Sequence, residues 1–306
     1  MSDEKRQSWF GLKRYVKRFL SLAVPHALMR GFLRLAPQFR SGRLPAPARL
    51  HEVTGRVQGG EFVMLRPDRC EIAKELYWGS GRRPKREDAL ALEVVARLAR
   101  EANVLLDVGA YTGVFTLAAT AVNPRLTAHA FEIVPGVAEA LVQNVRRNGV
   151  ADRVEVHVEG LGQSGTSMLV PKGEGGSALP SFYSSRMRFE DGVQIEFRSL
   201  DSVTDLLPPG ARVVMKVDVE GTEDEVLRHG QAFLNAYRPD ILCEVLPIAD
   251  GPALQALLAP HAFQMYLVQE DALRLAPDLM PDARFRDWLF TRRKPEQLRA
   301  LGVAVL

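Results

Sequence analysis

The sequence predicts an α/β protein built on a doubly wound, mostly parallel sheet whose last strand is antiparallel. From residue 104 onward, short apolar runs alternate with helical patterns, as expected for parallel strands joined by crossover helices. A glycine-containing turn follows the first apolar run, where sheets of this class bind ligands. Of the 306 residues, 46% are hydrophobic and 25% charged, which is typical of a globular chain with a sizeable core.

A basic arm precedes this core. Residues 1–50 contain eleven Lys and Arg against two Asp and Glu, whereas the whole chain has a formal net charge of only +3. That small overall charge argues against a nucleic-acid partner. Residues 8–35 predict a basic amphipathic helix, interrupted at Pro25, with an apolar row formed by Leu12, Val16, Phe19 and Ala23. We expect this helical extension to be either a lid on the core or a peripheral contact with a membrane.

Cysteine usage and hydropathy give an expected location. Cys70 and Cys243 lie far apart and neither belongs to a CxxC pair, so no zinc knuckle is expected and a reducing compartment is favoured. The most apolar stretch near the N terminus, residues 19–29, is short and contains Pro25 and His26. It resembles neither a signal peptide nor a membrane span. We therefore expect a cytoplasmic protein, with a membrane-peripheral position as the alternative.

The remaining elements follow in chain order. Residues 36–50 contain three prolines and predict a linker, residues 51–66 predict a hairpin, and residues 87–100 predict a helix. The chain thus divides into an arm (1–50), a hairpin and helix packed on the core (51–100), and the core itself (101–306). Within the core we expect helices at 114–122, 137–148 and 223–228, and strands at 104–106, 126–131, 154–158, 213–217, 241–245, 263–268 and 288–291.

One segment interrupts the alternation of strands and helices. Residues 162–200 contain five glycines before residue 177 and a strand-like run at 193–197. An insertion at this point would lie near the ligand-binding ends of the strands, which favours a substrate loop. A surface hairpin without a ligand is an equally good interpretation.

The turn at 107–113 has the features of a ligand site. Gly109 and Gly113 allow a tight strand-to-helix turn and a close approach of the backbone to a ligand. The helix that follows offers free N–H groups to a carboxylate, and Asp107 can accept from an ammonium group. A methionine moiety carries both groups. Thr116 is expected to add a hydroxyl contact, and Ala110 and Tyr111 lie within the same turn.

An acidic residue follows the second strand. Glu132 lies nineteen residues after Gly113 and precedes Ile133. In this architecture that position faces the ribose of a bound nucleoside, and a carboxylate can accept from both hydroxyls. The alternative is that Glu132 is a solvated carboxylate at a strand end. The glycine turn at the right distance upstream favours the ribose-binding interpretation.

A second acidic group follows the fourth strand. Asp218 and Glu220 come directly after the apolar run at 213–217, and Glu244 ends the next strand. Carboxylates at a pocket rim can neutralise a sulfonium, accept a substrate proton or hold a metal. Acidic residues also cap helices, and we assign that structural role to Glu223, Asp224 and Glu225.

These segments resemble a known family. DVGAYTGVFTL, AFE, GGSALPS, KVDVEGTEDEVLRHG and PDILCEV together resemble the FkbM-type methyltransferases over residues 87–246. The resemblance implies a Rossmann-like methyltransferase sheet, S-adenosyl-L-methionine as cofactor, and methyl transfer, usually to a hydroxyl oxygen. It places Asp107, Gly109, Gly113, Glu132 and Asp218 around the cofactor, and Glu159, Gly160 and Leu161 near its adenine. Tyr111-Thr112 and Ile133 depart from the usual residues, but neither change removes a needed group.

The expected reaction is a direct displacement in which the enzyme holds acceptor oxygen and methyl carbon in line. The hydroxyl proton would pass to a carboxylate, with Asp218, Glu220 and Glu244 as candidates. Either burial raises the pKa of that carboxylate, or a divalent ion lowers the pKa of the hydroxyl. The resemblance points to a sugar, a glycan, a glycolipid or a small natural product as acceptor.

Two other functions remain open from sequence. A nicotinamide-dependent oxidoreductase would share the sheet but requires GxGxxG, where this chain has GxxxG. A non-catalytic membrane-surface adaptor would use the basic helix but leave the Asp107, Glu132 and Asp218 group without a purpose.

Overall fold

The computed structural model describes residues 49–171 and 191–306, together with positions 15, 19, 22, 28, 29, 31, 46 and 47. The strands are β1 (Glu52–Val57), β2 (Gly60–Leu65), β3 (Val104–Val108), β4 (Thr127–Phe131), β5 (Val154–His157), β6 (Gly160–Leu161), β7 (Ser167–Val170), β8 (Val193–Arg198), β9 (Val213–Val217), β10 (Asp240–Glu244), β11 (Gln264–Val268), β12 (Leu273–Ala276) and β13 (Asp287–Thr291). The helices are α1 (Glu71–Trp78), α2 (Arg86–Ala99), α3 (Val114–Val122), α4 (Pro135–Arg147), α5 (Glu223–Arg228), α6 (Gln231–Tyr237), α7 (Gly251–Leu258) and α8 (Pro295–Ala300).

The central sheet has eight strands in the order β12-β11-β13-β10-β9-β3-β4-β5. The five strands from β10 to β5 are parallel to one another, and β13 pairs with β10 in the antiparallel sense. The prediction of a doubly wound, mostly parallel sheet with an antiparallel last strand is therefore confirmed. Because the chain proceeds from β3 towards β5 and then returns to β9, the strand order reverses between β3 and β9. Ligands bind at such a reversal, beyond the carboxyl ends of the strands.

Two apolar layers enclose the sheet. All five residues of β3 and all five of β9 are buried, as expected for central parallel strands covered on both faces. Residues from α2, α3, α4 and the hairpin pack on one face, and residues from α5, α6 and α7 pack on the other. The rigid sheet between them positions the residues that follow each strand.

The β1–β2 hairpin is fastened to α4 by two side-chain amides. The Val63 amide donates to Oδ1 of Asn148 (2.7 Å), and the Leu65 amide donates to Oδ1 of Asn144 (2.8 Å). Nδ2 of Asn144 also donates to the carbonyl of Thr112 (2.9 Å). Helix α4 therefore links the hairpin to the glycine turn.

Several elements differ from the sequence-based prediction. Helices α1, α6, α7 and α8 and strands β6, β7 and β12 were not predicted. Each has at most eight residues, which is too short to show a clear periodicity. The strand predicted at 193–197 exists as β8, but it pairs with β6 and β7 in a separate three-stranded sheet. Most of the basic helix predicted at 8–35, and much of the predicted substrate loop at 162–200, lie outside the described residues. The membrane contact and the loop's role stay predictions. Among the helices described, none has the length and apolar character to cross a bilayer.

Candidate active site

A cavity of about 470 Å³ opens at the strand reversal, beyond the carboxyl ends of β3, β4, β9 and β10. The sheet brings together residues from four segments that are distant in sequence. Most of the predicted site residues line this cavity, namely Gly109, Ala110, Tyr111, Glu132, Ile133, Glu159, Gly160, Leu161, Asp218, Glu220 and Glu244. The arrangement places a nucleoside-sized recess beside a cluster of carboxylates.

Asp107 lies behind the glycine turn, and it is 1% exposed. Its Oδ2 accepts from both the amide (3.0 Å) and the hydroxyl (2.6 Å) of Thr116, so this hydroxyl braces Asp107 where we expected it to contact a ligand. Asp107, Gly113 and Thr116 do not line the cavity. Burial raises the pKa of Asp107 to about 6. Its Oδ1 is buried and has no hydrogen-bond partner among the described residues, which leaves one acceptor of this carboxylate unsatisfied.

Glu132 shapes the rim of the same turn. Its Oε2 accepts from the amide of Tyr111 (2.9 Å), and its Oε1 accepts from the amide of Val134 (2.8 Å). The first bond holds Tyr111 at a φ of 50°, a left-handed conformation that is unfavourable for tyrosine. A carboxylate has about four acceptor positions, so Glu132 can still accept from a ligand hydroxyl. Together with the open acceptor on Asp107, this donor and acceptor pattern fits a nucleoside bearing an amino acid.

Gly109 permits the closest approach between the two loops at the strand reversal. It has a φ of 78°, and a Cβ at this position would overlap the carbonyl oxygen of Asp218. The Asp218 amide donates to the carbonyl of Val108 (2.9 Å), so the loop after β9 lies directly against the turn after β3. A side chain at position 109 would force these loops apart.

Asp218, Glu220 and Glu244 converge at the mouth of the cavity, each offering a carboxylate oxygen within 4.8 Å of the others. Burial, reinforced by the charge of Asp218, raises the pKa of Glu220 to about 7. The same two causes raise the pKa of Glu244 to about 9. Glu220 also has a φ of 56°, which is strained for a non-glycine residue and is common at functional sites. The carboxyl of Glu244 therefore holds its proton more tightly than the carboxyl of Glu220 does.

Sequence reasoning did not identify Lys216 as part of the site. The side chain is 2% exposed, and its Nζ lies 3.1 Å from Asp287 Oδ1 and 3.5 Å from Asp218 Oδ2. These carboxylates, with Glu244, hold the pKa of Lys216 above its usual value in spite of its burial. The ammonium group lies 5.4 Å from the centre of the Phe115 ring. The sequence did contain a signal, which is a lysine within the apolar run at 213–217. A buried charge needs a partner of opposite charge, so this lysine implied a nearby carboxylate.

Glu223 also has a role that sequence reasoning missed. We assigned it to helix capping, but its Oε1 accepts from the amides of Val219 (3.2 Å) and Gly221 (3.0 Å). These bonds hold the turn that presents Asp218 and Glu220. Glu223 is 2% exposed, whereas the side chain of Glu225 on the same helix is 45% exposed. Glu223 therefore acts as a positioning residue.

The raised pKa of Glu244 predicts a pH-dependent stability. A carboxyl with a higher pKa in the folded state stabilises the fold fully below its unfolded pKa, near 4.5, and this contribution is lost as pH rises through about 9. The Glu244→Gln variant should therefore lose less unfolding free energy than wild type between pH 5 and pH 9. One proton accounts for a slope of at most about 1.4 kcal/mol per pH unit. Urea titrations across this range measure the difference, and exposed Glu225→Gln is the control that should match wild type. Parallel curves for Glu244→Gln and wild type would contradict the assignment.

Comparisons with known proteins show which family and which solved structures this chain is similar to. Residues 107–268 match the family model described as the methyltransferase FkbM domain. A methyltransferase FkbM from Methylobacillus flagellatus has a similar structure at 18% identity, covering 62% of this chain but only 44% of that one, with a TM-score of 0.43. An O-methyltransferase from Thermotoga maritima matches at 11% identity over 79% and 78% of the chains (TM-score 0.39), and a methyltransferase from Podospora anserina with bound SAH matches at 14% over 67% and 79% (TM-score 0.39). The comparison with curated proteins gave no match.

Proposed function

The chain belongs to the FkbM family of methyltransferases, and from that premise we propose that it uses S-adenosyl-L-methionine to methylate a hydroxyl group. The acceptor would be a sugar, a glycan, a glycolipid or a small natural product. One observation carries the proposal, which is that a recess lined by Glu132 and the glycine turn opens onto a cluster of carboxylates. When bound, the cofactor would supply an electrophilic methyl group on a sulfonium.

The cofactor would be held by residues that the geometry already orients. Glu132 accepts from hydroxyls, the unpaired Oδ1 of Asp107 accepts from an ammonium group, and Gly109 lets the backbone approach closely. Glu159, Gly160 and Leu161 line the cavity on the side expected for the adenine. The carboxylates of Asp218 and Glu220 would offset a positive charge near the rim.

The carboxyl groups of the cluster would have different roles towards the proton of the acceptor hydroxyl. Glu220 is the best candidate for the base, because a pKa of about 7 suits a group that must accept a proton at neutral pH. Glu244, which holds its proton more tightly, can donate a hydrogen bond to an acceptor oxygen. Lys216 keeps Asp218 in a fixed orientation. A divalent ion held by the three carboxylates would be the alternative way to activate the hydroxyl.

The lining beyond the cluster supports a polar acceptor. Arg83 is bound by Glu75 and Asp88, each at 2.8 Å, and all three line the cavity. Lys85, which lies 3.6 Å from Asp88, and Arg286, which lies 3.9 Å from Glu244, add further donors to the lining. A wall rich in charged donors and acceptors can hydrogen-bond several hydroxyls of one acceptor, as sugar recognition requires.

Calorimetric titration with S-adenosylhomocysteine tests the cofactor assignment. We expect micromolar binding by the wild type and no binding of NAD. Glu132→Gln should weaken the binding at least about tenfold, because a bond to a charged acceptor contributes about 1.5–3 kcal/mol. Glu139→Gln is the matched control, since Glu139 is an exposed glutamate on α4.

The two ligands separate the competing functions. Tight NAD binding would favour the oxidoreductase, and binding of neither ligand by folded protein would favour the adaptor. Equal affinities of the wild type and Glu132→Gln would contradict the assigned role of Glu132.

A further inference from the structure

A second cluster of potential ligands lies at the β4–β5 edge of the sheet. His129 on β4 is the register partner of Glu155 on β5, and His157 follows Glu155 by two residues. Because alternate residues of a strand share a face, all three side chains project from the same side of the sheet. The residues between them, Ala130 and Val156, face the opposite side and pack in the apolar core.

The distances within this cluster match one metal ion. His129 Nδ1 lies 3.1 Å from His157 Nε2, and Glu155 Oε2 lies 3.4 Å from the former and 3.9 Å from the latter. A point equidistant from these three atoms lies about 2.0 Å from each, which is close to the roughly 2.0–2.2 Å of zinc bonds to imidazole and carboxylate. The three atoms therefore need little movement to coordinate an ion.

The surroundings of His157 resemble the outer shell of a metal site. Its other ring nitrogen, Nδ1, lies 3.5 Å from Glu159 Oε1, so a proton on Nδ1 leaves Nε2 free to coordinate. The ring stacks on Phe131, with centroids 4.5 Å apart and planes at 14°, which fixes its orientation.

A hydrogen bond between the rings of His129 and His157 would explain why the rings are close. It would not explain why the carboxylate of Glu155 lies beside them. The side chain of Glu155 is 62% exposed and free to extend into solvent, yet its carboxylate contacts both rings. Among the described residues, Arg198 is a cation close enough to act on both histidines, and Glu159 lies 3.4 Å from its Nη1 and offsets its charge. Two imidazoles and one carboxylate form a ligand set that suits zinc and similar divalent ions.

We propose that His129, Glu155 and His157 bind a divalent transition-metal ion of the zinc class, at a site separate from the Asp218–Glu220–Glu244 cluster. Solvent fills the remaining coordination positions, since Glu155 lies at the surface. This site does not depend on the proposed methyl transfer.

Titration of the untagged, chelator-treated full chain with Zn²⁺ alone tests the proposal. We expect one ion per chain with micromolar affinity, and a Co²⁺ absorption spectrum typical of nitrogen and oxygen ligands that Zn²⁺ abolishes. His129→Gln and His157→Gln should each weaken Zn²⁺ binding at least tenfold. His229→Gln is the matched control, because His229 lies 3.4 Å from Glu225 without a second histidine.

Circular dichroism establishes that each variant is folded before titration. A further variant, Asp218→Asn/Glu220→Gln/Glu244→Gln, should bind Zn²⁺ as the wild type does. Loss of binding in that variant, unchanged binding in both histidine variants, or no stoichiometric binding by the wild type would each overturn the proposal.

Discussion

Replacing Lys216 with methionine should lower the free energy of unfolding by about 3–5 kcal/mol, the cost of removing one partner from a buried ion pair. Methionine fills a similar volume, so the loss reports on charge more than on packing. Asp287 and Asp218 would remain at the site without their shared cation, at 3.1 Å and 3.5 Å from its present position. Urea unfolding followed by circular dichroism measures the change in the free energy of unfolding. We expect Lys216→Met to weaken cofactor binding as well.

Two further variants isolate the electrostatic cause. Lys216→Met/Asp287→Asn removes both charges of the shorter ion pair and should recover part of the lost stability, although Asp218 stays without its cation. Lys85→Met removes an exposed lysine 3.6 Å from Asp88 and should cost less than about 1 kcal/mol. A Lys216→Met variant as stable as the wild type would show that the buried charge contributes no net stability.

Replacing Gly109 with alanine should abolish measurable binding of S-adenosylhomocysteine. The added Cβ would overlap the carbonyl oxygen of Asp218, so the loops after β3 and β9 must separate. Separation breaks the bond between the Asp218 amide and the Val108 carbonyl and displaces the carboxylate cluster from the recess. Calorimetry measures the affinity, and a loss of at least about a hundredfold corresponds to some 2.7 kcal/mol.

The matched control is Gly210→Ala. Gly210 has a similar φ of 71°, but a Cβ there would meet nothing within 4 Å. This variant should carry only the backbone strain of alanine in a left-handed conformation, about 1–2 kcal/mol, and bind the ligand normally. Similar binding by both variants would mean that the loops tolerate the added atom.

The sheet could be predicted because its strands are nearly uniform apolar runs separated by turn residues. Val104–Val108 and Val213–Val217 are buried at every position, and a run of that kind has few other stable environments. Helix α6 escaped prediction because only Phe233 and Leu234 of its seven residues are buried. A helix held by two apolar side chains leaves little periodicity in the sequence.

The candidate site was predictable where its residues lie at the ends of strands: Glu132 and Asp218 directly follow strands, and Glu244 is the last residue of β10. Residues whose role depends on contacts that form only in the folded chain could not be predicted. Glu223 has the sequence context of a helix cap, and only the turn that returns to Val219 reveals its two backbone bonds. His129 and His157 are 28 residues apart, and their meeting depends on the β4–β5 register.

The hydrogen bonds that fasten the hairpin to Asn144 and Asn148 have a consequence during synthesis on the ribosome. Val63 bonds to Asn148, a residue made 85 positions later. At about 5–20 residues per second, the hairpin waits roughly 4–17 seconds for its partner to be added. A lone two-stranded hairpin is marginally stable in water, so it gains lasting order only after α4 has emerged and packed. The hairpin thus depends for its lasting order on a helix that the ribosome adds only after the glycine turn has been made.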